Sequence, residues 1–137
     1  MALLFKYSSR SGGDPAPIIP VSIKYKNTKK NFMGLIDSGA DETFVPEDVA
    51  DLLGIKYQRA EEILITGIDK QLRCTRHFVT VTLFDGSDTV TIERVPIHVP
   101  KLSQKQVGVL LGRKGLLDKF ELRLNEKEDI IALKYLG

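Results

Sequence analysis

The sequence is poor in the features on which secreted and membrane proteins depend. It contains one cysteine, Cys74, which excludes an internal disulfide framework and suits a reducing compartment. Its longest apolar runs are four or five residues, far short of the roughly 20 that span a bilayer. The first run, residues 1–5, is too short for the core of a secretory signal and follows no charged region. We therefore expect a cytoplasmic protein without a membrane partner.

A strong excess of charge of either sign is also missing. The 20 basic residues nearly cancel the 18 acidic ones, so the net charge is +2 and gives no argument for a nucleic-acid partner. Lys24, Lys26, Lys29 and Lys30 surround one turn, a pattern more typical of a solvated hairpin tip than of a binding patch. The 137 residues, 42% of them apolar, suffice for one domain with a real core.

Acidic and small residues come together in residues 35–43 (LIDSGADET). Two apolar residues, typical of the end of a strand, lead into the tight turn Asp37-Ser38-Gly39. Gly39 permits backbone angles and close approaches that other residues resist. A carboxylate on a rigid strand end with a hydroxyl beside it suits catalysis, although the same tripeptide is common in ordinary turns.

A second motif lies far downstream, where residues 109–113 (VLLGR) place three apolar residues before a glycine and an arginine. Retropepsin-like aspartic proteases carry two such motifs in this order. Their first motif is a strand, a turn and a strand that deliver Asp-Thr/Ser-Gly-Ala, which residues 18–43 match. The chain thus resembles this retroviral-type (clan AA) family over residues 18–135, and in particular its cellular prokaryotic or archaeal members.

The resemblance implies an aspartic endopeptidase that needs no cofactor. In this chemistry one aspartate activates a water, while a protonated partner aspartate polarises the scissile carbonyl. The sequence has one Asp-Ser/Thr-Gly, in a chain half the size that a self-contained pair requires, and Asp41 lies in the same turn as Asp37. We therefore expect a homodimer in which each subunit supplies one Asp37 to cleave a peptide or protein substrate.

Two alternatives remain open at this stage. One is a peptide-binding or scaffold module on the same fold, with little or no catalysis. The other is an unrelated β-barrel interaction domain in which Asp37 only stabilises a turn. No metal site is expected, because Asp37, Asp41 and Glu42 lack the spacing of a calcium loop. A phosphate site at residues 112–115 lacks the Walker pattern.

The resemblance also assigns supporting roles. Ser38 matches the residue whose hydroxyl forms a hydrogen bond across the dimer axis. Gly39 matches the glycine past which the substrate backbone runs, and Ala40 matches the small residue that follows this glycine. Asp41 matches the acidic residue that meets both the substrate main chain and the arginine of the second motif, here Arg113. A partly buried Asp41–Arg113 pair is expected, so that loss of Arg113 would cost the dimer or the fold.

Residues 62–71 predict a hairpin where the family carries its flap, which closes over the substrate. The expected substrate-binding residues of this flap are Ile65, Thr66, Gly67, Ile68 and Asp69. The segment has less glycine and more charge than usual flap tips, so a plain surface hairpin is the alternative. Apolar substrate pockets are suggested by Val45, Ile65, Ile68 and Leu110.

The predicted architecture is mostly β: a small closed retropepsin-like barrel with one or two short helices. Residues 1–17 are predicted to be a strand and a flexible linker, and residues 18–137 a single protease domain. Helices are predicted at residues 46–53, with Val49, Leu52 and Leu53 on one face, and at residues 116–120. The alternation of apolar residues slips near Glu93 and Arg94, which predicts a β-bulge.

The sequence also leads to expectations for the two ends of the chain and for its cysteine and histidines. By analogy with the family, residues 3–7 and 130–136 build a sheet between subunits, and the alternative is a disordered N-terminal tail. Cys74 is expected to be a buried or strand-face thiol. His77 and His98 are expected to be surface or strand-face histidines, since no acidic or cysteine partner lies near them in the sequence.

Overall fold

The computed structural model describes residues 2–9, 13–66, 71–101 and 108–137. These residues form mainly strands, with one short α-helix and two single turns of 3₁₀-helix, at Tyr57–Arg59 and Leu117–Lys119. The helix, α1, spans Glu47–Leu53. The strands are β1 (Ala2–Phe5), β2 (Ser8–Ser9), β3 (Pro15–Ala16), β4 (Ile18–Tyr25), β5 (Thr28–Ile36), β6 (Thr43–Phe44), β7 (Glu62–Thr66), β8 (Gln71–Phe84), β9 (Thr89–Pro100), β10 (Val109–Leu111), β11 (Phe120–Asn125) and β12 (Ile130–Tyr135).

Six of these strands close into a barrel. They are hydrogen-bonded in the order β4-β5-β10-β6-β9-β8, and β8 returns to pair with β4, so that the ring is complete. Strand β8 pairs with β7 through its first residues and with β4 through its last residues. Most neighbours are antiparallel, but β10 runs parallel to β5 and β6 runs parallel to β9. The predicted mostly β, closed barrel is confirmed.

Strand β8 shows why the alternating sequence builds a barrel wall. Val79, Val81 and Leu83 are at most 3% exposed and point into the core, while Thr80 and Thr82 between them lie on the outer face. Each buried side chain of this size contributes roughly 1.5–3 kcal/mol relative to an exposed one. A shift of one residue would turn this whole apolar set towards water, so the alternation fixes the register.

The predicted β-bulge lies in the hairpin of β8 and β9. The pairing register shifts between Val79 and Val81, where two residues of β9 oppose one residue of β8. Arg94, one of these two residues, has a φ of 54°, in the left-handed region. The extra residue lets the strands keep their apolar side chains in the core on both sides of the bulge.

Helix α1 begins and ends where its sequence indicates. Pro46 precedes it, Glu47 lies in its first turn, and Gly54 ends it with a φ of 74°, where its N–H meets the last carbonyls of the helix. The predicted apolar face is wrong in one residue, because Leu52 is 60% exposed while Ala50 is fully buried. The predicted second helix at residues 116–120 is a single 3₁₀ turn, and Phe120 already belongs to β11.

The two ends of the chain form a second, three-stranded sheet in the order β1-β12-β11. Leu3 of β1 is fully buried in the core, and two backbone N–H groups near the N-terminus donate to carboxylates. Leu4 donates to Asp85 at 2.9 Å and Tyr7 donates to Asp129 at 2.7 Å. The alternative of a disordered tail is therefore wrong for residues 2–5. No helix in the described ranges is long and apolar enough to cross a membrane.

We expect Leu3→Ala to lower the free energy of unfolding by about 2–5 kcal/mol, because the buried side chain leaves a cavity between β1 and the barrel. The neighbouring Leu4→Ala is the control, since its side chain is 60% exposed and its loss should change stability by about 0.5 kcal/mol or less. Urea unfolding of both variants at one protein concentration measures the difference. Equal stabilities would contradict the docking of β1.

Candidate active site

The turn after β5 holds Asp37 through backbone groups. The Asp37 N–H donates to the carbonyl of Leu111 at 3.0 Å, which continues the parallel pairing of β5 with β10 past the end of β5. The Ala40 N–H donates to the Asp37 carbonyl at 3.0 Å and closes the turn. The Gly39 N–H donates to Asp37 Oδ1 at 3.1 Å. The carboxylate of Asp37 is therefore oriented from within its own turn, with its second oxygen left for other partners.

The second motif packs directly against this turn. The Arg113 N–H donates to the Ala40 carbonyl at 2.9 Å, and the Lys114 N–H donates to the Asp41 carbonyl at 2.8 Å. The Gly112 N–H donates to the hydroxyl of Thr43 at 3.0 Å. Residues 40–43 and 112–114 thus form one hydrogen-bonded unit, as expected for two motifs that act together.

Gly112 is the residue that lets the two segments approach. A Cβ atom at this position would overlap the carbonyl of Glu42, a backbone group that has no freedom to move aside. Its φ is not in the left-handed region, so the requirement is for space rather than for an unusual backbone angle. The glycine of the second motif is therefore dictated by close packing against the turn.

Asp41 and Arg113 form the expected ion pair, but not in the expected environment. The Arg113 Nη2 donates to Asp41 Oδ1 at 2.6 Å, and this hydrogen bond, followed by the guanidinium charge, lowers the pKa of Asp41. The two side chains are 63% and 51% exposed in the single chain, so the prediction of a partly buried pair is wrong. Exposed pairs stabilise a fold far less than buried ones, because water screens both charges.

A polar network that the sequence did not reveal lies behind the turn. Glu42, whose side chain is 12% exposed, has one carboxylate oxygen 3.2 Å from Lys114 Nζ and the other 3.6 Å from His98 Nδ1. His98 is fully buried, and its Nε2 accepts a hydrogen bond of 3.0 Å from Arg76 Nε. His98 therefore does have an acidic neighbour, Glu42, which is 56 positions away in the chain and is brought to it by the pairing of β6 with β9.

The predicted flap residues lie on a hairpin whose two arms are β7 and β8. Ile65 pairs with Leu72 and Thr66 pairs with Gln71, which confirms the hairpin. Gly67, Ile68 and Asp69 lie outside the described residues. At the base of the hairpin, Lys101 Nζ is 2.7 Å from Glu62 Oε1.

Val45 was expected to line an apolar substrate pocket, but it does not. It is fully buried in the core, whereas its neighbour Phe44 is only partly buried and packs near His98, with ring centroids 6.0 Å apart. Leu110 pairs with Phe44 across β10 and β6, so these two side chains share one face of the sheet. Phe44 therefore replaces Val45 as a candidate for lining a pocket.

Cys74 is fully buried in β8, as expected, and lies outside this site. Burial, followed by the charge of Glu42, raises the pKa of its thiol to about 11. A thiol with this pKa is almost entirely protonated at neutral pH and is a poor nucleophile. Within the described part of the chain, no three His, Cys, Asp or Glu residues are grouped so that they could hold a metal ion.

We expect the Cys74 thiol to resist alkylation by iodoacetamide at neutral pH in the folded protein and to react fully in urea. Both burial and the raised pKa oppose formation of the thiolate. The mass of the protein before and after treatment measures the reaction. Rapid alkylation under native conditions would contradict this placement of Cys74.

We expect Gly112→Ala to destabilise the fold by about 3 kcal/mol or more, because the added methyl group meets backbone atoms of Glu42. Arg113→Ala is the matched comparison one residue later, and we expect it to leave the single-chain fold in place, because the ion pair is exposed. Circular dichroism and thermal unfolding measure both. The reverse order of stabilities would contradict the proposed roles of these two neighbours.

Comparisons with known proteins agree with this geometry. The family model described as "Aspartyl protease" matches residues 19–114, which include both motifs. A retropepsin-like aspartic protease from Rickettsia conorii has a similar crystal structure, with a TM-score of 0.64 and 18% identity over 98% of this chain and 93% of that chain. The EIAV protease in complex with the inhibitor HBY-793 gives a TM-score of 0.47 and 21% identity, over 75% of this chain and 86% of that chain. No curated protein matches the sequence.

The similar crystal structure establishes the fold of the chain, and the family model establishes its family. The likeness to the Rickettsia conorii structure, at 18% identity, shows a shared fold, the retropepsin-like barrel. The family model covers well over half of the chain, from β4 to the residue after Arg113. Together with the hydrogen-bonded unit of residues 40–43 and 112–114, it shows that the chain belongs to the aspartyl protease family.

Proposed function

We propose that the protein is a homodimeric aspartic endopeptidase that hydrolyses peptide bonds with a water activated between two Asp37 carboxylates, one from each subunit. The observation that carries this proposal is the orientation of Asp37. Its backbone N–H donates to Leu111 of β10, its carbonyl accepts from Ala40, and one carboxylate oxygen accepts from Gly39. An aspartate fixed in this way at a strand end is suited to hold a water rather than to serve as a flexible surface charge.

The chemistry requires two carboxylates in different protonation states. One aspartate takes a proton from the water, and its protonated partner donates a hydrogen bond to the scissile carbonyl. In aspartic proteases, the type case of this arrangement, two carboxylates about 3 Å apart cannot both be ionised, so that the pair shares one proton. The resulting pKa values belong to the pair and not to either residue.

We infer that the second carboxylate comes from another copy of the chain. Asp41 is the nearest candidate in the sequence, but its Oδ1 is bound by Arg113, and the positive charge keeps it ionised. Asp37 is followed by Ser38, whose side chain is exposed at the tip of the turn. A second copy related by a two-fold axis would bring another Asp37 and Ser38 to the same place, since such an interface uses the same surface on both subunits.

The substrate class follows from the surrounding strands. An extended peptide would lie beside the turn and be recognised by main-chain hydrogen bonds and by pockets for alternate side chains. Phe44 and Leu110 share the sheet face that continues from the Asp37 turn, and both are partly buried. We therefore propose a preference for apolar side chains next to the cleaved bond, with the hairpin of β7 and β8 closing over them.

We expect Asp37→Asn to reduce cleavage of casein between pH 4 and pH 7 by roughly 10²–10⁴-fold, because an amide cannot activate the water. Asp88→Asn is the matched control, since Asp88 is an exposed aspartate in the turn between β8 and β9. Light scattering on the same samples gives the particle mass, which we expect to be that of a dimer for all three proteins.

Each result has a distinct reading. Full cleavage by Asp37→Asn, or full cleavage by a strict monomer, would overturn the proposed mechanism. A folded dimer that binds unstructured peptides but cleaves none would indicate a peptide-binding module instead. Loss of activity in Asp88→Asn as well would show that the assay reports stability rather than catalysis.

A further inference from the structure

Basic residues from distant parts of the sequence come together on the outer wall of the barrel. Lys24 of β4 lies directly opposite Lys29 of β5, and on its other side it pairs with Thr80 of β8. Thr80 in turn faces the bulge of β9, which contains Arg94. The three basic side chains are exposed. They thus form a row across neighbouring strands, and the lysines of the hairpin turn are only one part of it.

This row borders a concave site of about 350 Å³. The residues that line it are Lys24, Lys26, Phe78, Val79, Thr80 and Arg94. Its volume lies at the lower end of the range for small-molecule sites, roughly 300–1,000 Å³. None of the lining residues is acidic, and no ion pair within the described ranges involves Lys24, Lys26, Lys29 or Arg94. The site therefore gathers positive charge that no carboxylate of the described residues neutralises by contact.

Aromatic rings position two of the cations that line the site. The guanidinium carbon of Arg94 lies 4.6 Å from the centroid of the Phe78 ring, and Lys26 Nζ lies 5.4 Å from the centroid of the Tyr25 ring. A ring face attracts a cation without using its N–H groups, which stay available for acceptors. Glu93, the acid next to Arg94 in the sequence, is exposed and does not line the site. The guanidinium is therefore held at the site by a ring and not by a carboxylate.

The same two cations occupy backbone positions that favour glycine. Lys26 has a φ of 52° and Arg94 has a φ of 54°, both in the left-handed region. A side chain longer than that of glycine or asparagine gains nothing there from the backbone and adds a steric cost. A bulge, however, changes the direction in which a side chain points. The turn and the bulge thus direct two long basic side chains into one site, at positions where the fold alone favours a small residue.

The direct pairing of Lys24 with Lys29 is unfavourable in the protein alone. Like charges opposite each other on neighbouring strands repel, and an anion between them would remove this repulsion. A carboxylate has one charge and two oxygens, whereas a phosphate group has about 1.5–2 negative charges and three acceptor oxygens. Two linked phosphates therefore match these lysines, Lys26 and Arg94 in charge. The guanidinium can bind one of the phosphates through two parallel hydrogen bonds.

We propose that this concavity on the barrel wall binds a small phosphorylated molecule, with Lys24, Lys26 and Arg94 around a diphosphate group and Lys29 at its margin. Strand β5 leads from Lys29 to the Asp37 turn, and at about 3.3 Å per residue its length places the two roughly 25 Å apart along the strand. The phosphate site is therefore separate from the candidate active site, and its occupation does not depend on the proposed peptidase activity.

Inorganic pyrophosphate is the probe, because it carries the diphosphate and no other group. In ¹H–¹⁵N NMR of the full chain, we expect it to shift the amides of Lys24, Thr80 and Arg94 until they saturate. Thermal unfolding should move to higher temperature as the site fills, because the ligand binds the folded chain only. Sodium chloride at the same ionic strength is the control, since screening alone gives no saturable shifts at one site.

Lys24→Gln and Arg94→Gln test the two sides of the site. We expect each to weaken pyrophosphate binding by about tenfold or more, because each removes hydrogen bonds to a charged group. Lys134→Gln is the matched control, since Lys134 is an exposed strand lysine in the terminal sheet, and it should leave the affinity unchanged. Without the probe, Lys24→Gln should unfold at the parent temperature or above, because it removes a like-charge pair. A lost response in this variant then reports lost binding and not lost folding.

The outcomes decide both the site and the class of its ligand. Local, saturable shifts that are weakened in both site variants and kept in Lys134→Gln would support the proposal. An equal response to sodium chloride, or equal affinities in Lys24→Gln and Lys134→Gln, would overturn it. Tighter binding of a glutamate peptide than of pyrophosphate would also overturn it, in favour of an acidic protein segment. Because every measurement is of binding or stability, none of these results depends on whether the protein cleaves casein.

Discussion

The parallel pairing of β5 with β10 is the contact on which the site depends. It brings Asp37 beside Leu111, and one residue later Gly112 lies so close to Glu42 that no side chain fits between them. The turn is therefore shaped almost entirely by backbone groups: N–H donors of residues 39, 40, 113 and 114 meet oxygens within the same unit. Because the turn uses only one oxygen of the Asp37 carboxylate, the second oxygen and the Ser38 hydroxyl remain available for chemistry.

The stability of the protein and its candidate chemistry occupy different parts of the fold. The apolar side chains of the barrel and of the terminal sheet form one continuous core that includes Leu3 at one end of the chain and Leu133 at the other. The Asp37 turn lies at the rim of this core, where the ion pair of Asp41 and Arg113 faces water. Within the described residues, a chain of contacts from Lys114 through Glu42 and His98 to Arg76 carries polar groups from the rim inwards. Changes at the rim should thus affect function more than folding, while changes along the inward chain should affect both.

Much of this could be predicted from the sequence, because the relevant signals are local. Alternation along β8, the phase slip at Arg94 and the glycine after α1 each depend on near neighbours. The errors arise where the outcome depends on distant segments. Which face of α1 is buried is decided by the strands it packs on, so Leu52 is exposed although its spacing suits a core. The environment of Asp41 depends on how far the turn projects from the barrel. His98 acquired its partners through strand pairing, which no spacing of residues in one chain segment can indicate.

The hydrogen bond from Leu4 to Asp85 has a consequence for association between molecules. Strand β1 is the edge of the terminal sheet, and the Leu4 N–H donates to the carboxylate rather than to a strand. An unpaired N–H on an edge strand is a template on which another chain can add a strand and begin to aggregate. The Asp85 carboxylate occupies that position. It accepts hydrogen bonds from the backbone N–H groups of Asp88, Leu4 and Ser87, and these hydrogen bonds lower its pKa. The negative charge that blocks this edge therefore persists to a lower pH than that of an ordinary aspartate.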